Sequence, residues 1–141
     1  MNAGDLDAWL RMRLELWPGE PESHLVEMQA NLQDPDCANF IALESSGAAC
    51  GFIEAGMRKY AEGCDSSPVG YIEGWYVEEA YRRMGVGAAL VRAVENWASS
   101  QGCSEMASDC LIDNLVSLGA HTALGYEEVE RLIHFRKLLI G

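Results

Sequence analysis

Apolar residues recur along this chain with two different periods. Between residues 5 and 17, Leu6, Trp9, Leu10, Leu14 and Trp17 fall at helical spacing and predict an amphipathic helix. The Trp17-Pro18-Gly19 run breaks it. A second helix is predicted over 22–33, with Leu25, Met28 and Leu32 on one face and Pro35 closing it. The pattern then shortens. Residues 40–43 and 51–57 read as two strands joined by a Ser-Ser-Gly turn, and the polar, glycine-containing stretch 58–68 reads as a loop. Tyr71, Ile72, Trp75, Tyr76 and Val77 are aromatic or β-branched and predict a strand over 71–77. Ala88, Leu90, Val91, Val94 and Trp97 return to helical spacing as far as about residue 101, where Gly102 ends the helix. A short strand at 105–109, a helix over 114–124 carrying Leu115, Leu118 and Leu124, and two final strands at 126–131 and 132–140 complete the prediction. The long helix crosses over from strand 71–77 to strand 105–109, so this pair is expected to be parallel. The expected class is α/β with a mixed sheet flanked by helices.

Two glycines carry the first chemical signal. Gly74 interrupts strand 71–77, as glycine does at a bulge or a close backbone approach. A bulge there would free N–H and C=O groups of Tyr76 and Val77 for an amide-rich ligand arm. Downstream, Arg82-x-x-Gly85-x-Gly87 stands directly before the long helix. The first N–H groups of a helix lack internal acceptors, and with the positive end of the helix dipole they suit an anion such as a diphosphate. Arg82 and Arg83 add positive charge. The spacing matches neither the Gly-x-x-x-x-Gly-Lys-Ser/Thr loop nor the dinucleotide fingerprint. An ordinary strand-to-helix turn is the other reading of the same residues.

Composition narrows the field. A length of 141 residues suits one domain, 1–141, and 49% hydrophobic residues argue for a folded core. The net charge of -12 argues against nucleic acid and anionic membrane surfaces as partners. It favours a cationic ligand, or serves only solubility. Five cysteines form no C-x-x-C and no zinc spacing, so no metal is expected, and their odd number suggests a reducing cytoplasm. No apolar run reaches the ~20 residues of a membrane span. Glu73 lies in an otherwise apolar strand, where a carboxylate is costly unless exposed or partnered. It is either a solvent-facing residue or a functional acid.

The residues from Val77 to Leu90, with Arg82-x-x-Gly85-x-Gly87, resemble the acetyl-CoA-binding motif of the GCN5-related N-acetyltransferases. Trp17-Pro18-Gly19, Gly63-Cys64-Asp65-Ser66-Ser67-Pro68, Glu73-Gly74, Glu105-Met106-Ala107-Ser108-Asp109 and Ala123-Leu124-Gly125-Tyr126 resemble the aminoglycoside 6'-N-acetyltransferases of that superfamily. The resemblance implies that superfamily's fold, with its first edge strand missing or shortened here, since only residues 1–4 precede the first helix. It implies acetyl-CoA as co-substrate, held by Tyr76, Val77, Arg82, Met84, Gly85, Val86, Gly87, Ala88 and Asn114. It implies an aminoglycoside held by Trp17, Tyr60, Glu73 and Asp109. Glu73 then acts as general base, directly or through water, and His121 stands where the superfamily commonly has a Tyr that protonates the leaving thiolate. Each of Trp17, Tyr60, Asp109 and His121 also has a plain reading: core aromatics, a turn residue and a histidine satisfied on its own helix. Direct transfer without an acyl-enzyme, a homodimer, and antibiotic resistance complete what the resemblance implies. The rival expectations are an N-acetyltransferase for another amine, polyamine or protein, and a non-catalytic module that binds coenzyme A or a cation.

Overall fold

The computed structural model describes residues 1–140. It contains α1 (Leu6–Leu16), α2 (Pro21–Gln33), β1 (Cys37–Leu43), β2 (Ala49–Arg58), β3 (Val69–Val77), α3 (Val86–Ser100), β4 (Met106–Ser108) and α4 (Leu115–Ala123). The sheet runs β1-β2-β3-β4. The first two pairs are antiparallel, and β3–β4 is parallel, as the crossover requires. No strand precedes α1 among the described residues; a 3-10 turn at Ala3–Asp5 leads straight into it. No helix among these residues is long and apolar enough to cross a membrane.

The chain divides into two compact units, Met1–Asp109 and Cys110–Gly141. The first holds the whole sheet. Successive strand residues face opposite sides, and β2 shows it: Phe52 packs with Trp9, Met12 and Met28 of α1 and α2, while Gly51 faces Leu90 of α3. Leu90, Val91, Val94 and Ala98 form the buried stripe of α3 at helical spacing. Pro21 takes the first turn of α2, where a missing N–H costs nothing.

The predicted bulge falls one residue earlier than Gly74. Ala55 pairs with Ile72 and Glu54 with Gly74, so Glu73 is the extra residue of β3. This resets the alternation. Gly70 faces Ala98 of α3, and in a regular strand Gly74 would face the same way. Instead Gly74 lies under the Trp17 indole on the α1 side, and Trp75 turns toward Gly87 of α3. The close approach inferred from Gly74 is therefore made by a side chain of the protein itself.

The second unit departs from expectation. α4 forms, but 126–140 carries no assigned strand, against the two predicted at 126–131 and 132–140. Strand residues need a neighbouring ladder for their N–H and C=O groups, and no described ladder includes these residues. Phe135, Leu139 and Ile140 are exposed.

A Cβ at position 74 would stand 2.3 Å from Trp17 Cη2. Gly74→Ala is expected to cost about 1–3 kcal/mol through overpacking. In Trp17→Leu/Gly74→Ala the added penalty should largely vanish. Denaturant unfolding of the four variants in the cycle measures it.

Candidate active site

The loop between β3 and α3 is framed by its own side chains. Tyr81 donates its hydroxyl to the Glu44 carboxylate, and Arg11 pairs with Glu78. Arg82 Nε donates to the Val77 carbonyl at 2.9 Å. This guanidinium, read in the sequence as charge for a phosphate, therefore also braces the turn. Arg83 adopts φ 67°, a left-handed conformation that costs a non-glycine residue about 1–2 kcal/mol. Gly85 follows at φ 84° as the N-cap of α3 and offers no side-chain cap. The first bond of the helix runs from Ala89 N–H to Gly85 C=O at 3.0 Å. The N–H groups of Val86, Gly87 and Ala88 thus precede the helical bonding, and the first turn carries no acidic residue. These three amides fit a diphosphate. Met84 beside them is exposed.

β4 pairs with β3 only over Gly70–Ile72, and no described strand pairs with that edge beyond Ile72. Glu78 N–H donates to Cys50 C=O on β2 at 2.9 Å. Antiparallel alternation then directs the peptide groups of Tyr76 to Phe52 and turns those of Val77 to the open edge. The pair of residues expected from the sequence reduces to the Val77 N–H, because Tyr76 is used by the sheet and the Val77 carbonyl accepts from Arg82.

On the α1 side, Arg13, Trp17, Pro18, His24, Glu27, Glu54 and Glu73 line a cleft of about 430 Å³. Its floor is a buried ionic cluster. Glu54 accepts from Trp9 Nε1 at 2.9 Å and Asn31 Nδ2 at 3.1 Å, and lies 3.3 Å from Arg13 Nη1. Burial pushes the Glu54 carboxyl above its ordinary value, although Arg13 and the Trp9 N–H oppose the shift. Arg13 also binds Glu27 and lies 5.0 Å from the centre of the Trp17 ring. His24 Nε2 and the Trp17 carbonyl are 2.9 Å apart, which assigns the proton to that nitrogen. Trp17 thus serves the packing of α1 and walls the cleft at the same time.

Glu73 is not a lone acid. Arg58 binds it with both arms of its fork, Nε at 3.0 Å and Nη2 at 2.9 Å. The Arg58 guanidinium lies 3.5 Å from the centre of the Tyr71 ring, and Tyr71 donates its hydroxyl to Asp109 at 2.5 Å. One chain of contacts therefore joins the two acids that the sequence singled out. Tyr60 is exposed at 67%, in the loop after β2. In the second unit, Asn114 caps α4 by accepting from Ser117 N–H at 3.1 Å. His121 Nδ1 is 2.7 Å from Ser117 C=O, so Nδ1 holds the proton of the neutral ring and Nε2 has one to give only as imidazolium. Sequence reasoning missed Arg58, Tyr71 and the Arg13–Glu54 cluster. The one available signal was an Arg at the end of a strand run, placed in the loop.

The Gly63–Pro68 loop is held from the other conspicuous segment. Glu105 Oε1 accepts from Asp65 N–H at 2.9 Å and from Ser66 N–H at 2.8 Å, and also from the Ser66 hydroxyl. These bonds, the Ser66 hydroxyl first, hold the Glu105 carboxyl below its ordinary value.

Residues 6–126 match the family model described as Acetyltransferase (GNAT) family. An aminoglycoside N(6')-acetyltransferase type 1 from Serratia marcescens is 47% identical over 96% of this chain and 94% of its own length. The protein of that name from Salmonella typhimurium is 45% identical over 97% and 95%. Among solved structures, AAC(6')-Iy in complex with the bisubstrate analog CoA-S-monomethyl-acetylneamine superposes with a TM-score of 0.92 at 44% identity, covering 99% of this chain and 95% of that one. The 6'-N-acetyltransferase AAC(6')-Ih from Acinetobacter baumannii gives a TM-score of 0.93 at 36% identity, covering 99% and 95%.

A carboxylate with a lowered folded pKa contributes stability above its unfolded value, about 4.3, and loses it as pH falls through the folded value. Amide exchange at Asp65 and Ser66, corrected for intrinsic rates, should therefore speed up in acid. In Glu105→Gln those amides should be less protected at neutral pH, with that acid dependence abolished.

Proposed function

The chain belongs to the GNAT acetyltransferase family, and from that membership we propose that it is an aminoglycoside 6'-N-acetyltransferase. It transfers acetyl from acetyl-CoA to the 6'-amine of an aminoglycoside, which removes a positive charge from the drug and confers resistance. The observation that carries this reading is the pairing, about one β-bulge, of an anion-binding helix mouth with a cleft walled by Glu27, Glu54 and Glu73. A polycationic amino sugar complements such a cleft, and a diphosphate complements the amides of Val86, Gly87 and Ala88.

Acetyl-CoA, when bound, supplies an acetyl thioester. The protein's own groups do the rest. An ammonium ion has no lone pair, so the amine must first lose a proton, which Glu73 accepts directly or through water. The neutral nitrogen then forms the C–N bond as the C–S bond breaks, and the nitrogen, left cationic by the new bond, gives its second proton to solvent water to become the amide. The Val77 N–H, turned to the open edge of β3, suits the developing oxyanion. The departing thiolate takes its proton from the His121 imidazolium or from solvent. A thiolate leaves readily, so no acyl-enzyme is needed. Trp17 walls the cleft and Tyr60 offers an exposed aromatic face for a sugar ring. Asn114 belongs to the cofactor side in this reading, as do Arg82 and Met84.

Both units are read as one N-acetyltransferase domain, since the family match crosses their boundary. The five free cysteines support a reducing, cytoplasmic setting. A homodimer is supported by the exposed apolar run Leu138, Leu139 and Ile140, and light scattering of the purified protein tests it.

Purified protein should release thiol from acetyl-CoA with kanamycin-like aminoglycosides and not with spermidine or peptide amines. Glu73→Gln and Asp109→Asn should each lower kcat/KM by roughly 10–100-fold. Turnover of a polyamine or peptide amine with no aminoglycoside accepted would overturn the assignment.

A further inference from the structure

Arg58 stands in an unexpected place for a site that receives cations. Its fork occupies both oxygens of Glu73, although each oxygen keeps a second lone-pair direction for another donor. The two side chains are each 42% exposed, so solvent screens the pair and the contact adds little to stability. Its value lies in geometry. A glutamate on a bulge has many rotamers, and a ligand that must freeze them loses affinity. The planar fork freezes them beforehand. The fork is itself fixed, because the guanidinium lies on the Tyr71 ring at 3.5 Å, and Tyr71 is 5% exposed. The Tyr71 hydroxyl donates to the Asp109 carboxylate at 2.5 Å; burial first, and then this hydrogen bond and the Asp109 charge, lift the tyrosine well above its ordinary value. The phenol therefore stays a donor, and Asp109 stays an acceptor with lone pairs to spare.

We propose that Arg58, stacked on Tyr71, is a positioning residue that fixes Glu73 and Asp109 as a matched pair of acceptors for two amino groups of one polycationic sugar. This rests on the aminoglycoside reading above. The bridge explains why a cationic side chain is retained between two ligand-binding acids: it trades part of their field for a fixed spacing. Lysine cannot replace it, since an ammonium neither forks onto a carboxylate nor stacks flat on a phenol ring.

Calorimetric titration of kanamycin without acetyl-CoA reads the acceptor site alone. Arg58→Gln and Arg58→Lys should each weaken kanamycin binding about tenfold and leave acetyl-CoA affinity within about twofold. Tyr71→Phe keeps the ring under Arg58 and removes only the Asp109 contact; it too should weaken kanamycin. In a Glu73→Gln background, Arg58→Gln should cost clearly less than in the wild type, since only the Asp109 arm is left to disturb, which a general loss of structure would not reproduce. Unchanged or tighter kanamycin binding in Arg58→Gln would overturn the proposal, because Arg58 would then be a bystander or a competitor for Glu73. An equal loss in the Glu73→Gln background would overturn it as well. If the wild type binds kanamycin but never releases thiol, the transferase reading falls while the affinity comparison still decides the role of Arg58.

Discussion

One inserted residue governs the arrangement of this molecule. Glu73 has no partner across β2, and the strand beyond it is turned over relative to the strand before it. Both Glu73 and Gly74 then belong to the α1 side, where Gly74 receives the Trp17 indole and Glu73 reaches Arg58. Trp75 is sent to the other side, where its ring packs against Gly87 at the start of α3. The same residue thus shapes the cleft wall on one face and seats the helix mouth on the other. A regular strand would place Glu73 beside its paired neighbours and Gly74 against α3, and neither site would have its present walls.

The electrostatics divide by depth. Arg13 and Glu54 are nearly inaccessible, and a pair so buried is costly unless hydrogen bonds cover its groups. Trp9 and Asn31 cover both oxygens of Glu54, and Glu27 takes Nη2 of Arg13, whereas the buried Nε and Nη1 of Arg13 make no hydrogen bond and the pair is covered on its acidic side alone. Even so, burial wins over the nearby positive charge and Glu54 binds its proton more tightly than a free glutamate. That cluster is a floor, suited to holding α1 and α2 on the sheet. The Glu73–Arg58 pair is half exposed and bonded to little else, so it can share its carboxylate with a ligand at small cost. Depth, rather than residue type, separates the buried Glu54 from the half-exposed Glu73 here.

How much of this was legible depended on sequence distance. The helices, the four strands and the parallel crossover follow from periodicity and from Pro and Gly punctuation, because those signals are local. The helix mouth is also local: Gly85, Gly87 and the missing acids of the first turn stand within a few residues of one another. The bulge was foreseen at Gly74, yet its cause was misjudged, since Trp17 lies 57 positions away and nothing in the sequence announces that contact. The apolar pattern places Arg58 in the loop, whereas β2 extends one residue past its apolar run. Its partners Glu73 and Tyr71 become neighbours only through the β2–β3 register. The final strands were misread for a related reason. The composition of 126–140 suits strands, but a strand is a relation between two segments, and composition describes one.

Local and non-local parts of the site also differ in what they can be tuned to do. A helix mouth binds an anion through backbone amides, so most side-chain changes around it leave the donors in place. Its specificity for a diphosphate is correspondingly shared by any chain that can build the turn. The cleft on the α1 side is assembled from α1, α2, β2 and β3, with Asp109 at the end of β4 tied to it through Tyr71 and Arg58, and each of Glu54, Glu73 and Asp109 is contacted by a residue from a different element. A change at Arg13, Arg58 or Tyr71 moves an acid without removing it. Selectivity among amino sugars is therefore expected to be encoded less in the acids themselves than in the cations and aromatics that aim them.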